Sequence, residues 1–383
     1  MVKNNESMNY VQEVFKSILE EEYLLCDLFN SSVDEGIMDL NELGKLSMIA
    51  QEPTLHRNEI EKLRKEDIMS NPYLANIKVP KVASQNFQLS NRRIIRSGLV
   101  TKYKSKSRDL STMRQKNSYF ICDYPLCFPG LTEGKSNTCW MTVEPFEIET
   151  FKEFIEEAQG DVLLIGCGLG YAAYMLSEKE EINSVTIIDY NQEVLDLFNE
   201  HILPQFKNKE KIQTVQGDGL EYLKQADLSI YDHVNVDVWY DTVDMIYPYL
   251  RCLEIEKENP DVKFSYWLED ELKEAIQKSL IAAVANDNQP ANKKVQHAND
   301  GFLLGIIGED IVKKTALNTY EDVYHLIDID DLRDFLFCWY ANNIETVEKQ
   351  EPIDRRTINS TQGINSLNGM DNQKVYAKGT KNV

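Results

Sequence analysis

Residues 144–284 predict an α/β fold built on a doubly wound, mostly parallel sheet. Two observations carry that expectation. Five short apolar or β-branched runs, 161–166, 184–189, 211–216, 231–237 and 262–267, are separated by stretches of helical periodicity. Glycines or acids stand where four of those runs end, which is where open α/β sheets place their ligands. A further helix is predicted over 269–284.

Ahead of this body, residues 8–30 set Val11, Val14, Phe15, Ile18, Leu19 and Leu25 at helical spacing with acids between them. The runs 36–50 and 56–69 read as two more helices, so residues 1–70 are expected to form a helical N-terminal unit. Two prolines in "NPYLANIKVP" break that pattern, and a basic connector is expected over 71–117. Between Lys81 and Lys116 it holds ten Lys/Arg against the single acid Asp109. Such a strip is either a solvated connector or a docking surface for an anionic partner at 81–116.

Residues 118–143 are rich in aromatic and β-branched types with Pro-Gly and Glu-Gly between runs, which predicts short strands or a hairpin. This β-rich segment leads into the α/β body, and the two together make a domain over 118–345. The domain carries a polar insert at 285–300, and the polar stretch 346–383 is expected to be a disordered tail.

Bulk composition removes several function classes. A net charge of −22 argues against a protein that coats nucleic acid over its whole surface. The seven cysteines form no C-x-x-C pair and the five histidines are scattered, so neither a metal site nor a disulfide framework is expected. No run reaches the roughly 18–20 apolar residues of a membrane span, and "MVKNNESMNY" has no apolar signal core, so a cytoplasmic placement is expected.

The chemistry-bearing stretch is "DVLLIGCGLGYAAYML", residues 161–176. Glycines at a strand-to-helix turn let a ligand approach the main chain without meeting a Cβ. The spacing here is G-x-G-x-G (Gly166, Gly168, Gly170), and bulky Tyr171 fills the third position of the dinucleotide fingerprint. There is no G-K-[ST] for a nucleoside triphosphate. The second strand ends in Asp189, placed to accept hydrogen bonds from a ribose diol. The third ends in "QGDG", with Asp218 placed to face an adenine edge or to cap the next helix. The fourth ends in Asp237.

In that order, Gly166-Cys167-Gly168-Leu169-Gly170, Asp189, Gln216-Gly217-Asp218-Gly219 and Asp237 resemble the successive motifs of class I S-adenosylmethionine-dependent methyltransferases. The branch resembled is the spermidine-synthase-like one, and Leu164, standing where most methyltransferases carry an acid, fits that branch. "WMTVEPFEIET", "VDVWYDTVD" and "FSYWLED" further resemble segments of bacterial proteins labelled methyltransferases, whose acceptors are not established.

The resemblance implies S-adenosylmethionine as cofactor, held by Gly166, Gly168, Gly170, Asp189, Asp218, Gly219 and Asp237. It implies methyl transfer to an unidentified acceptor, with Asp237, Trp239 and Asp241 as the catalytic set. Trp140, Glu144 and Tyr240 are candidates at the pocket mouth, with Trp267 and Glu269 weaker ones, and His233 reads as a core residue inside a strand. Two other functions stay open. Aminopropyl transfer to a polyamine suits an acidic protein and the "QGDG" motif. Against it, Asp237 and Asp241 stand one residue further apart than that pattern has, and "EPFEIETF" lacks its tyrosine. A non-catalytic adenosylmethionine- or partner-binding module would use the helical unit and the basic strip instead.

Overall fold

The computed structural model describes residues 8–20, 60–62, 64–95, 98–101, 109–113, 119–122, 126–134, 139–290, 294–295 and 302–350. Residues 8–20 are helical, as their periodicity predicts. Val11, Phe15, Ile18 and Leu19 enter the same apolar cluster as Leu163, Leu250 and Ile281 of the α/β body. The Gln12 amide fastens this helix by donating to the Val284 and Asp287 carbonyls, at 3.0 Å each. The rest of that predicted helix and the run 36–50 lie outside the described residues.

The expected helix over 56–69 is corrected. Among the described residues of that run, Ile60–Lys62 is a strand (β1), Arg64 is extended and Lys65–Met69 is helical. The connector reading of 71–117 is corrected too. After a short helix, Pro72–Asn76, this stretch forms β2 (Val82–Ala83), β3 (Phe87–Ile95) and β4 (Gly98–Thr101). The β-rich segment supplies β5 (Tyr119–Cys122), β6 (Leu126–Glu133) and β7 (Cys139–Thr142).

β1, β5 and β4 make one small sheet in that order, and β2-β3-β6-β7 make a second. β1 pairs in parallel with β5, across a large separation in sequence, so long-range pairing overrides the local helical pattern. In β3 the alternate residues Phe87 and Leu89 are buried, a period of two that the charge count obscured. Of the ten cationic residues between 81 and 116, Lys81, Arg92 and Arg93 fall among the described residues, the last two within β3.

The five predicted strands follow as β8 (Gly160–Ile165), β9 (Ile182–Asp189), β10 (Ile212–Gln216), β11 (His233–Val236) and β12 (Lys263–Tyr266). All pairs are parallel and the order is β10-β9-β8-β11-β12. Helices Tyr171–Ser177, Gln192–Leu197, Gly219–Gln225 and Thr242–Glu258 make the crossings. The chain is therefore a Rossmann-like α/β fold with a doubly wound parallel sheet.

Along β8, Leu163 and Ile165 face one apolar cluster while Val162 and Leu164 face the other, as a sheet covered on both sides requires. Strand order reverses between β8 and β11, so a crevice opens at their carboxyl ends.

Helices Glu269–Asn286, Leu303–Lys314, Tyr320–Ile327, Leu332–Ala341 and Ile344–Gln350 complete the body. The first of these runs into the expected polar insert, and the last corrects the start of the expected tail. Residues 346–350 are helical and Val347 is buried, whereas 351–383 lie outside the described residues. Among the described residues no helix is long and apolar enough to cross a membrane.

Candidate active site

The site starts where β8 stops. Gly166 has φ +108° and Gly168 φ +50°, both in the region that disfavours a side chain. A Cβ on Gly166 would overlap the Asp237 carbonyl oxygen, and one on Gly168 would overlap the Met141 sulfur. Gly170 stands at the N-cap of helix Tyr171–Ser177, its N–H donating to the Cys167 carbonyl at 2.8 Å. Gly219 opens the helix after β10 and packs directly on Ile165.

The turn is held from above by the amino-terminal elements. The buried Tyr73 hydroxyl donates to the Leu169 carbonyl at 2.7 Å, and the Leu169 N–H donates to the Met141 sulfur at 3.0 Å. Asn71 and Asn76 donate to the hydroxyls of Tyr171 and Tyr174 on the following helix.

The three strand-end acids differ in how far their oxygens are committed. Asp189 Oδ2 accepts the Cys167 N–H at 2.9 Å and Oδ1 accepts the Asn191 N–H at 2.8 Å, so this carboxylate fixes the glycine turn to the end of β9. Burial pushes its pKa above the ordinary aspartate range while those two N–H groups pull it back.

Asp218 is exposed and caps its helix. Oδ1 accepts from the Leu220 and Glu221 N–H groups at 3.0 and 3.1 Å, the capping alternative named for it from sequence. Asp237 lies over the Gly166 backbone, and its carboxylate has no hydrogen-bond partner among the described residues. Burial, and after it the Asp189 charge, push it up to about 7.

The structure therefore brings Gly166, Gly168, Gly170, Asp189, Asp218, Gly219 and Asp237 to one end of the sheet. Trp239 is buried beside them, and its indole N–H donates to the Trp267 carbonyl at 2.9 Å, so it acts as a wall. Asp241 is turned outward. Its Oδ1 accepts the Val243 and Asp244 N–H groups and makes a reciprocal capping box with Asp244 at the head of helix Thr242–Glu258.

Tyr240 is exposed, with its ring edge-on to Trp140 at 5.7 Å, and Trp140 meets Phe87 at 5.1 Å. Exposed Tyr190 follows Asp189 at the mouth. Glu269 is held by Arg333 and Tyr249 and so belongs to a structural ion-pair network. His233 is buried against Ser265 at 2.7 Å and is kept neutral, its pKa lowered to about 4 by burial.

One residue at the site was missed from sequence. Glu147, on helix Pro145–Thr150, is only 8% exposed, and its carboxylate has no hydrogen-bond partner among the described residues. Burial, then the charges of Asp237 and Glu144, push it well above the ordinary glutamate range. Its signal was position: Glu147, Phe151 and Phe154 fall at helical spacing on the inward face of the 145–157 stretch.

Sheet order, glycine turn and strand-end acids together define a class I methyltransferase-like fold. Within that class, the family model described as Spermine/spermidine synthase domain matches residues 148–245, from the helix before β8 into helix Thr242–Glu258.

Solved structures similar to the chain include TrmK of M. capricolum in complex with S-adenosyl-homocysteine, at 21% identity and TM-score 0.23, covering 30% of this chain and 48% of that one. Spermidine synthase of Thermotoga maritima matches at 12% identity and TM-score 0.29, covering 47% and 69%. Precorrin 8w decarboxylase of Methanobacterium thermoautotrophicum matches at 21% identity and TM-score 0.26, covering 35% and 70%. The chain thus spans about half the length of the TrmK structure (48%). No curated protein sequence matches it.

Proposed function

We propose that this chain transfers the methyl group of S-adenosylmethionine to an acceptor bound at the mouth of the β8–β11 crevice. The observation that carries the reading is Asp237, a carboxylate at the switch point with no hydrogen-bond partner and a pKa near 7. A buried acid in that state lacks a positive charge beside it, and a sulfonium would supply one. Bound S-adenosylmethionine brings an activated methyl carbon on that sulfonium.

The protein's own residues do the rest. The glycine turn Gly166–Gly170 lies beside the methionine portion. The lone pairs Asp189 keeps beyond its two N–H bonds accept from the ribose hydroxyls, and Asp218 Oδ2 faces the adenine amino group. Asp237 balances the cation and takes the proton from the acceptor as the bond forms. Trp239 and the Trp140–Tyr240 pair keep water from the reacting end.

A second reading, aminopropyl transfer from decarboxylated S-adenosylmethionine, is favoured by Glu147. This buried acid interacts with Tyr171, which starts the helix after the glycine turn. A second carboxylate beside this acid would push it up further, which a donor lacking the α-carboxylate avoids, and the family model matched at 148–245 supports the same reading.

Calorimetric titration with both donors, followed by incubation with methyl-labelled donor and cell extract, tests the pair. Label on an acceptor upholds methyl transfer. Tighter binding of the decarboxylated donor without label transfer moves the assignment to aminopropyl transfer. Binding of neither donor removes both.

A further inference from the structure

A second cavity, of about 290 Å³, opens along the outer side of β12, beneath helix Lys152–Glu157. None of Gly166, Asp189, Asp218 or Asp237 lines it. Strands of a parallel sheet covered on both faces are normally apolar throughout. β11 and β12 break that rule on one face. Their register pairs His233 with Lys263 and Asn235 with Ser265, while Val234 and Val236 lie on the other face with Phe264 and Tyr266.

Three of the four polar side chains on that face are satisfied: His233 pairs with Ser265, and the Lys263 ammonium donates to Glu157 at 2.6 Å. The fourth, Asn235, is 4% exposed, lines the cavity and has no hydrogen-bond partner for its amide among the described residues. A mostly buried amide with no protein partner is costly to keep unless something in the cavity pairs with it. A fold that keeps one facing a cavity points to a ligand that completes it.

The remaining lining says what kind of ligand. Five carboxylates (Glu153, Glu157, Glu256, Glu269 and Asp270) and two cations (Lys263 and Arg333) line the cavity, a formal charge of −3, with Glu256, Glu269 and Arg333 gathered at Tyr266 on the far face of β12. His233 is neutral behind them. Phe151, Phe154 and Trp267 supply flat apolar walls.

Around the edge of β12, on the face that carries Tyr266, the chain already holds one guanidinium of its own. Arg333 makes two bonds to Glu269 and one to Glu256, each 2.7 Å, and lies 5.0 Å over the Tyr266 ring. A planar cation with several N–H donors and no acceptor suits such a lining, because it stacks on aromatic faces and forks to oxygens.

We infer that this cavity binds a guanidinium group, seated on the Asn235 carbonyl oxygen between the aromatic walls and carboxylates. Trp267 lines this cavity, and its carbonyl accepts the Trp239 indole N–H. The site stands apart from the transfer site and does not depend on the reading given for it.

Calorimetric titration of the full chain with ethylguanidinium and with Nα-acetyl-arginine methylamide tests the inference. Saturable binding is expected, weakened at least tenfold in Asn235→Leu, weakened several-fold in Asp270→Asn and unchanged in Asp237→Asn. Asn235→Leu is expected to unfold at no lower urea concentration than the parent. If it does not fold, Asp270→Asn decides: weaker binding upholds the site and unchanged binding overturns it.

Tighter binding of the arginine amide assigns the site to an arginine side chain of a partner, and tighter binding of ethylguanidinium assigns it to a free guanidine. Either outcome upholds a guanidinium site. No saturable binding of either probe overturns it, as does full retention in Asn235→Leu or loss in Asp237→Asn.

Discussion

Replacing Asp237 by Asn should stabilise the protein, and by more at pH 8 than at pH 5. In the unfolded chain an aspartate releases its proton near 3.8, whereas burial holds Asp237 at about 7 in the folded state. The folded state therefore binds more protons than the unfolded one between those values, and stability falls as pH rises through that window.

Three units at about 1.4 kcal/mol each give about 4 kcal/mol of destabilisation at pH 8. At pH 5 the penalty has reached only about 1.5 kcal/mol. The side chain keeps some access to solvent, which scales both figures down. The variant carries no charge there, so its gain over the parent should be about 2 kcal/mol larger at pH 8 than at pH 5. Urea unfolding curves of both proteins at the two pH values read this directly. An equal gain at both, or a loss at pH 8, would show that Asp237 is not a strained buried carboxylate.

Gly168→Ala should cost about 1–3 kcal/mol, through a left-handed backbone and overlap with the Met141 sulfur, and thermal unfolding measures it. Adding Met141→Ala should recover only the overlap portion. Asp189→Ala strands the Cys167 and Asn191 N–H groups and should weaken S-adenosylmethionine binding at least tenfold by calorimetry, with unchanged affinity counting against the ribose assignment. Asp218→Ala should cost about 1 kcal/mol for the lost cap. Arg333→Leu leaves Glu256 and Glu269 without their shared partner and should cost about 3 kcal/mol by urea unfolding.

The sheet was readable because its signal is local. The runs 161–166 and 184–189 are apolar, each is followed by a helical stretch, and both fall within two residues of β8 and β9. The amino-terminal third was misread where its structure depends on distant partners. Nothing near Ile60–Lys62 announces that it pairs with Tyr119–Cys122, and a helical period in 56–69 outweighed it.

Counting charge over 81–116 hid the alternation of Phe87 and Leu89 in β3. The strand-end acids were found, but an acid before a helix reads the same whether it caps or binds. The folded arrangement alone distinguishes Asp241, turned outward into a capping box, from Asp237, turned inward. Glu147 escaped because an acid among acids in "EPFEIETF" attracts no notice until the helix face is drawn.

The graded commitment of the acids gives the proposed transfer site a testable electrostatic signature. Asp189 has both oxygens bonded to backbone N–H groups and Asp218 has one, so these two are fixed before any ligand arrives. Asp237 has none and is half protonated near pH 7. A sulfonium placed beside it favours the ionised form, so binding should release a proton at pH 6 and none at pH 8.5. Affinity should accordingly rise with pH, by up to about tenfold per unit below 7, and level off above. Calorimetry in two buffers of different ionisation heat counts the protons, and Asp237→Asn should abolish both the release and the slope. An affinity that is flat in pH, or a slope that survives the substitution, would place the cation away from Asp237. The crevice would then be serving some other ligand.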